Sequence, residues 1–120
     1  MQEIYKNDYI NIQIEKSEIP WLKIFTNKNI KEFSQCDNAT KLEILRCLDI
    51  IEKEMLSYFQ PTKINIASFG NYVPHLHFHI MARFEDDSFF PESMWGKKQR
   101  EAKLELPCFE KFYEILKKSL

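Results

Sequence analysis

His75-Leu76-His77-Phe78-His79-Ile80-Met81 places the chain's three histidines at alternating positions. In an extended strand successive side chains point to opposite faces, so the three imidazoles are expected to project together at intervals of about 6.6 Å. Leu76, Phe78 and Ile80 then face the other way, into a core. Arg83 shares the parity of the histidines and is expected about 13 Å beyond His79. A row of imidazoles is electrostatically awkward. Each titrates near neutrality, and a charge on one depresses the next. Folding alone does not ask for such a row.

Upstream, Lys63 to Phe69 is a second strand-length stretch, joined to the first by Gly70-Asn-Tyr-Val-Pro74. Before it lies a helix. Thr40-x-x-Glu43 has the form of a capping box, with Asp37 and Asn38 as competing caps. Leu42, Leu45, Leu48, Ile51, Met55 and Phe59, with Ile44 and Ile50 nearby, recur at helical spacing as one apolar stripe, and Pro61 ends the run. Earlier still, Ile10-Asn-Ile-Gln-Ile14 alternates strictly, and Pro20 opens the apolar Trp21-Leu-Lys-Ile-Phe25, so both read as strands. Ile30 to Phe33 fits a short strand or a helical turn. Downstream, Glu85 to Gly96 reads as a polar loop and Lys97 to Glu105 as a charged helix. Pro107 opens a final helix with Phe109, Phe112, Tyr113 and Leu116 on one face. The order of elements predicts an α+β fold: an antiparallel sheet of about five strands, one long helix and a C-terminal helix.

The 120 residues fit one domain, 1–120, with neither repeats nor a linker. A chain of this size buries roughly two-thirds of its unfolded surface, enough for a core without staples. Only two glycines are present, which argues against glycine-rich phosphate loops. Seventeen basic and 18 acidic side chains leave a net charge of −1, so no electrostatic footprint for nucleic acid is expected. Cys36, Cys47 and Cys108 are odd in number and lack Cys-x-x-Cys spacing, as expected of reduced thiols rather than a disulfide framework. Charged residues interrupt the first ten positions, so no secretory signal is expected there. No apolar run approaches the ~20 residues that span a bilayer. The expected setting is cytoplasmic, with no membrane partner.

Three chemistries fit the histidine run. In the first, the imidazoles merely occupy a solvated face. In the second they ligate zinc, iron or copper, since His-x-His on a strand chelates well. Three ligands in a row on one strand suit tetrahedral geometry poorly, however. In the third, a neutral imidazole attacks phosphorus while its neighbours donate hydrogen bonds to the phosphoryl oxygens and the leaving group.

His75-Leu-His-Phe-His-Ile-Met81 resembles the His-φ-His-φ-His-φ-φ motif, with φ apolar, of the histidine triad (HIT) family. The likeness covers about residues 10 to 100. Asn65-Ile-Ala-Ser-Phe-Gly-Asn-Tyr-Val-Pro74 resembles the strand and turn before the triad, and Met81-Ala-Arg83 the segment after it. Asp86-Asp-Ser-Phe-Phe-Pro-Glu-Ser-Met-Trp-Gly96 is similar to a loop of a bacterial branch, as is Pro20-Trp21. The resemblance implies a homodimer and a bound nucleoside monophosphate-containing small molecule; no cofactor and no metal are expected. It implies that a nucleoside phosphoramidate or dinucleoside polyphosphate is cleaved at its α-phosphorus through a nucleotidyl-histidine intermediate. It also implies the roles: His77 as nucleophile, His79 at the phosphate or leaving group, and His75 orienting the set. Asn65, Gly70 and Asn71 match phosphate-contacting positions, Asn71 standing where Gln is more frequent. Two features depart from the better-studied branches. Thr26-Asn-Lys-Asn29 stands where the phosphoramidase branch has a Pro-Lys-x-His segment, and Tyr72 stands where a small hydroxyl residue is common. These departures motivate an alternative, a nucleotide-binding regulatory protein with little activity.

Arg83 is suited either to clamp a phosphate or to pair with Asp86 or Asp87. Trp95 and Phe89-Phe90 are expected in packing before base stacking, because aromatics bury area first.

Overall fold

The computed structural model describes residues 2–120. Five strands form one antiparallel sheet: β1 (Glu3–Lys6), β2 (Ile10–Ile14), β3 (Trp21–Thr26), β4 (Lys63–Ala67) and β5 (His77–Arg83). Their spatial order is β1-β2-β3-β5-β4, so β5 lies inside the sheet and β4 at its edge. Helices α1 (Asn38–Phe59) and α2 (Phe109–Ser119) pack against each other. The predicted α+β class and antiparallel sheet are what the chain adopts.

The alternation of β2 sends Ile10 and Ile12 into the core, where both are fully buried. β1 lies in the stretch that sequence periodicity left unassigned. It is set by Asn7, whose Oδ1 accepts from the Tyr9 and Ile10 amides and closes the β1–β2 turn. Asn7 Nδ2 also donates to Glu43, tying that turn to α1.

Asp37 wins the competition to cap α1, its side chain accepting from the Thr40 amide at 2.8 Å. Gln60, in the left-handed conformation, and Pro61 end the helix. The buried stripe is Ile44, Cys47, Ile51, Met55 and Phe59, and Thr40 is buried at its head. Leu42 and Leu45, expected in the stripe, face outward at 67% and 56% exposure. Ile51, Met55 and Phe59 are buried as expected; over the first turns the buried side is Ile44 and Cys47, one residue round from Leu45 and Leu48. Each fully buried isoleucine contributes about 1.5–3 kcal/mol.

Ile30 to Phe33 forms no strand; a single 3-10 turn, Phe33–Gln35, begins at its last residue. Lys97 to Glu105 forms no helix. Here the Gln99 and Arg100 amides both bond to the Ser88 carbonyl, and Leu104 and Leu106 rest partly buried on the core. Tertiary anchoring outweighs a charged stretch with little apolar periodicity. The last helix starts at Phe109, one turn's approach after Pro107, and buries Phe112, Tyr113 and Leu116.

Candidate active site

β5 is built to hold side chains rigidly. It is hydrogen-bonded on both sides, with Phe25 opposite His77, Lys23 opposite His79 and Trp21 opposite Met81 on β3. Ala67 of β4 lies opposite His79 on the other side. The outer face of β5 therefore carries His77 and His79 beside Phe25, Lys23 and Trp21.

The His77 and His79 rings lie 4.9 Å apart. His77 stacks on Phe25, with ring centroids 4.6 Å apart and planes at 19°. Its Nδ1 lies 2.7 Å from the His75 carbonyl oxygen. A carbonyl only accepts, so His77 Nδ1–H is the donor and the lone pair of the neutral ring resides on Nε2. In His79 the assignment is reversed. The Trp21 indole N–H, a donor only, points at His79 Nδ1 from 3.0 Å. Neutral His79 accordingly carries its proton on Nε2. Every buried side-chain N or O among the described residues has a partner, yet neither Nε2 has one within the protein. Those two atoms open to solvent, one with a lone pair and one with a proton.

They open onto a pocket of about 360 Å³ lined by Phe69, Gly70, Asn71, Tyr72, Val73, His77, His79 and Trp95. Gly70 begins the turn that forms one wall; its φ of +73° is one that L side chains rarely adopt. Asn71 and Tyr72 are exposed at the rim. Trp95 forms the opposite wall, its ring edge-on to His79 at 4.9 Å and to Phe69 at 4.9 Å. Burial, then His77, then the Lys23 ammonium push His79 down to about 4, against an opposing pull from Glu15. Lys23 is itself buried and lies 2.9 Å from the Glu15 carboxylate.

His75 does not share the pocket. It precedes β5, where Leu76 already pairs with Ile30 and Thr26, and its Nε2–H donates to the Thr26 carbonyl at 2.6 Å. Its ring meets Phe25 edge-on at 5.4 Å. The expectation of three imidazoles projecting in a row is thus corrected to two, with the third turned back to brace their strand. The Ser68 hydroxyl braces it too, donating to the His77 carbonyl at 2.6 Å.

Arg83, expected at a phosphate, is engaged with the protein, and Asn65, expected there too, gives it its side-chain oxygen. Arg83 is 1% exposed and forms a two-pronged pair with Asp87 at 2.8 and 3.0 Å. It also donates to Asn65 Oδ1 at 2.9 Å and to the Glu92 carbonyl at 2.8 Å. The pairing side of the expectation for Arg83 is the one realised. Four of the five guanidinium donors are used in these bonds. Burial alone would raise the Asp87 carboxyl, but Arg83 and the Phe84, Phe89 and Phe90 amides hold it at about 2. Arg83 therefore acts on the pocket at one remove, fixing the loop that carries Trp95. Among the described residues, no group of three His, Cys, Asp or Glu is placed to hold a metal ion.

Trp21 and Phe25 escaped the sequence reading as site residues. Their signal was parity in β3: once β3 is paired with β5, odd-numbered residues of both strands share a face.

The HIT domain profile matches residues 3–86. The chain belongs to the HIT family. Its fold is similar to that of a histidine triad protein from Bradyrhizobium japonicum, at 25% identity and a TM-score of 0.80 over 98% of this chain and 88% of that one. A histidine triad protein from Sinorhizobium meliloti 1021 is similar at 24% identity and a TM-score of 0.77, over 98% and 88%. One from Marinobacter aquaeolei VT8 is similar at 22% and 0.75, over 98% and 84%. No curated protein matches the chain in sequence. Membership associates the chain with nucleotide binding and with nucleotide hydrolase or transferase chemistry in general. Among the described residues no helix is long and apolar enough to cross a membrane.

Proposed function

We propose that this HIT protein is a nucleotidyl hydrolase or transferase acting on a nucleoside phosphoramidate or dinucleoside polyphosphate. The observation that carries this reading is the pair of opposed tautomers, a bare Nε2 on His77 beside an Nε2–H on His79, both open to one pocket. In the first step His77 Nε2 donates its lone pair to the α-phosphorus. A P–N bond forms, the bond to the amine or phosphate leaving group breaks, and that group departs with the electron pair. His79 Nε2–H donates to a phosphoryl oxygen as charge develops there. Water then attacks phosphorus, its proton passing to solvent in place of the one that the leaving group took from water, the P–N bond breaks, and His77 regains its lone pair. The His75 carbonyl holds the His77 proton on Nδ1 throughout, and Gly70 and Asn71 offer backbone and amide groups to the phosphate. The test is a rapid quench of the wild-type protein with adenosine or guanosine phosphoramidate, followed by mass spectrometry. A nucleoside monophosphate adduct on His77 is expected. Turnover that persists undiminished in His77→Ala overturns the assignment.

A second reading, a nucleotide-binding regulatory protein with little activity, is favoured by one feature. No lysine or arginine lines the pocket, since Arg83 is committed to Asp87 and Lys23 to Glu15. Tight binding of AMP or GMP without turnover of either substrate class would select it.

The homodimer belongs to the proposal as well. Phe33, Leu45, Leu48, Phe69 and Phe78 line one groove beside the free edge of β4, where Ile66 is exposed, and a second copy is its occupant. The three free thiols, two of them buried, suit a cytoplasmic setting.

A further inference from the structure

Trp21 stands at the start of β3 and is only 9% exposed. Its indole N–H is a buried donor, and the partner it has is a side chain, His79 Nδ1 at 3.0 Å. A second indole closes the other side. Trp95 meets His79 edge-on at 80° and Trp21 at 75°, with centroids 4.9 and 5.2 Å apart. The His79 ring is thus gripped between two tryptophans with one nitrogen taken and one free.

We propose that Trp21 is a positioning residue of the reaction: its indole N–H fixes His79 as the Nε2–H tautomer and keeps it a neutral donor to the substrate. This rests on the reading that His77 attacks phosphorus. Protonating His79 would set Nδ1–H against the indole N–H, two donors facing each other across a bond that admits one proton. The charged groups around the ring act in the same direction or balance. His77 on the same strand and Lys23 on β3 disfavour an imidazolium, while Glu15, beyond the end of β2, favours it and is itself bound to Lys23. A neutral Nε2–H strengthens its bond as the phosphoryl oxygens gain charge, without delivering a proton to the leaving group. The proton that the leaving group needs comes from water.

The structural alternative is that Trp21 only fills space, and the two separate cleanly. In the ¹⁵N-labelled wild-type protein, His79 should show a bare Nδ1 and a protonated Nε2, with a scalar coupling across the bond from Trp21 Nε1. Site-specific replacement of Trp21 by 3-benzothienylalanine keeps the shape and exchanges N–H for sulfur; Trp21→Phe is the simpler partner variant. In either, His79 should titrate at higher pH, toward an ordinary imidazole, and kcat should fall about tenfold with KM little changed, the worth of one oriented hydrogen bond. A His79 proton on Nδ1 in the wild type overturns the proposal. So does a sulfur-substituted protein with unchanged His79 titration and unchanged kcat. The NMR readout needs no turnover, so it stands even if phosphoryl chemistry at His77 fails its own test.

Discussion

The Arg83 guanidinium and the Asp87 carboxylate meet through two bonds of 2.8 and 3.0 Å at the end of β5, with both side chains removed from solvent. One residue belongs to the strand of the histidines and the other to the loop that brings Trp95 over them. Asp87 also accepts from three backbone amides and Arg83 donates to the Glu92 carbonyl, so the pair organises that loop.

Arg83→Met should destabilise the fold by about 3–5 kcal/mol, because it leaves a buried carboxylate without its counterion. Urea unfolding would measure the loss, and Trp95 fluorescence should shift under native conditions as the loop loosens. The Asp87 carboxyl, held at about 2 against an ordinary 3.8, adds a pH dependence. Its folded value is depressed, so its stabilisation is present above about pH 4 and is lost as pH falls toward 2. Wild-type stability unaffected by Arg83→Met would refute the role given to this pair.

His79 predicts a second pH dependence at higher pH. Its folded value is about 4 against an ordinary 6.5. Between those values the unfolded chain binds a proton that the folded chain refuses, so stability rises with pH there and is lost as pH falls from 6.5 to 4. His79→Gln has no such proton to bind. Unfolding free energies measured every half unit from pH 4.5 to 7.5 should give a shallower slope for the variant than for the wild type.

Much of this was legible in the residues. His77 and His79 were found by strand parity, β2 by apolar alternation, β3 as an apolar run after Pro20, and α1 by its cap and stripe. The failures share a cause: they turn on competition between groups that sequence spacing leaves equal. Leu45 and Ile44 both recur helically, and only the position of the sheet decides which goes inside. Arg83 could serve a phosphate or Asp87, and the tight Phe84–Asp87 turn settles the matter by placing the carboxylate within reach. His75 kept the parity of the triad, but β5 begins two residues later because Leu76 pairs with Ile30 and Thr26. Trp21 was visible as a strand residue. Its bond to His79 required knowing that β3 lies beside β5, which no local pattern states.

Leu45 gives a test of the dimer. Its side chain is 56% exposed in the single chain and lines the groove with Phe33 and Phe69. Leu45→Glu removes little packing within the subunit, so its secondary structure should match the wild type. In the dimer it would bury a carboxylate without a counterion, at a cost of several kcal/mol. Light scattering with size exclusion should show the wild type at twice the chain mass and the variant at one chain mass. A wild type that runs as a monomer at all concentrations removes the dimer from the proposal.

Trp95 separates shaping the pocket from chemistry within it. Its side chain is 48% exposed, so Trp95→Ala sacrifices far less burial than a core tryptophan would, and the subunit should remain folded. It does remove the wall opposite the Gly70–Val73 turn and one of the two indoles against His79. The Trp21 bond to His79 Nδ1 is untouched, so the tautomer should persist. The expected kinetic pattern is therefore a KM raised about tenfold, equivalent to about 1.4 kcal/mol of lost aromatic contact, with kcat changed less. Arg83→Met, which frees the same loop from a distance, should move KM in the same direction. If Trp95→Ala instead lowers kcat at constant KM, the indole is acting on His79 in the transition state rather than on the bound nucleotide. The pocket wall would then have to be sought at Phe69 and Tyr72.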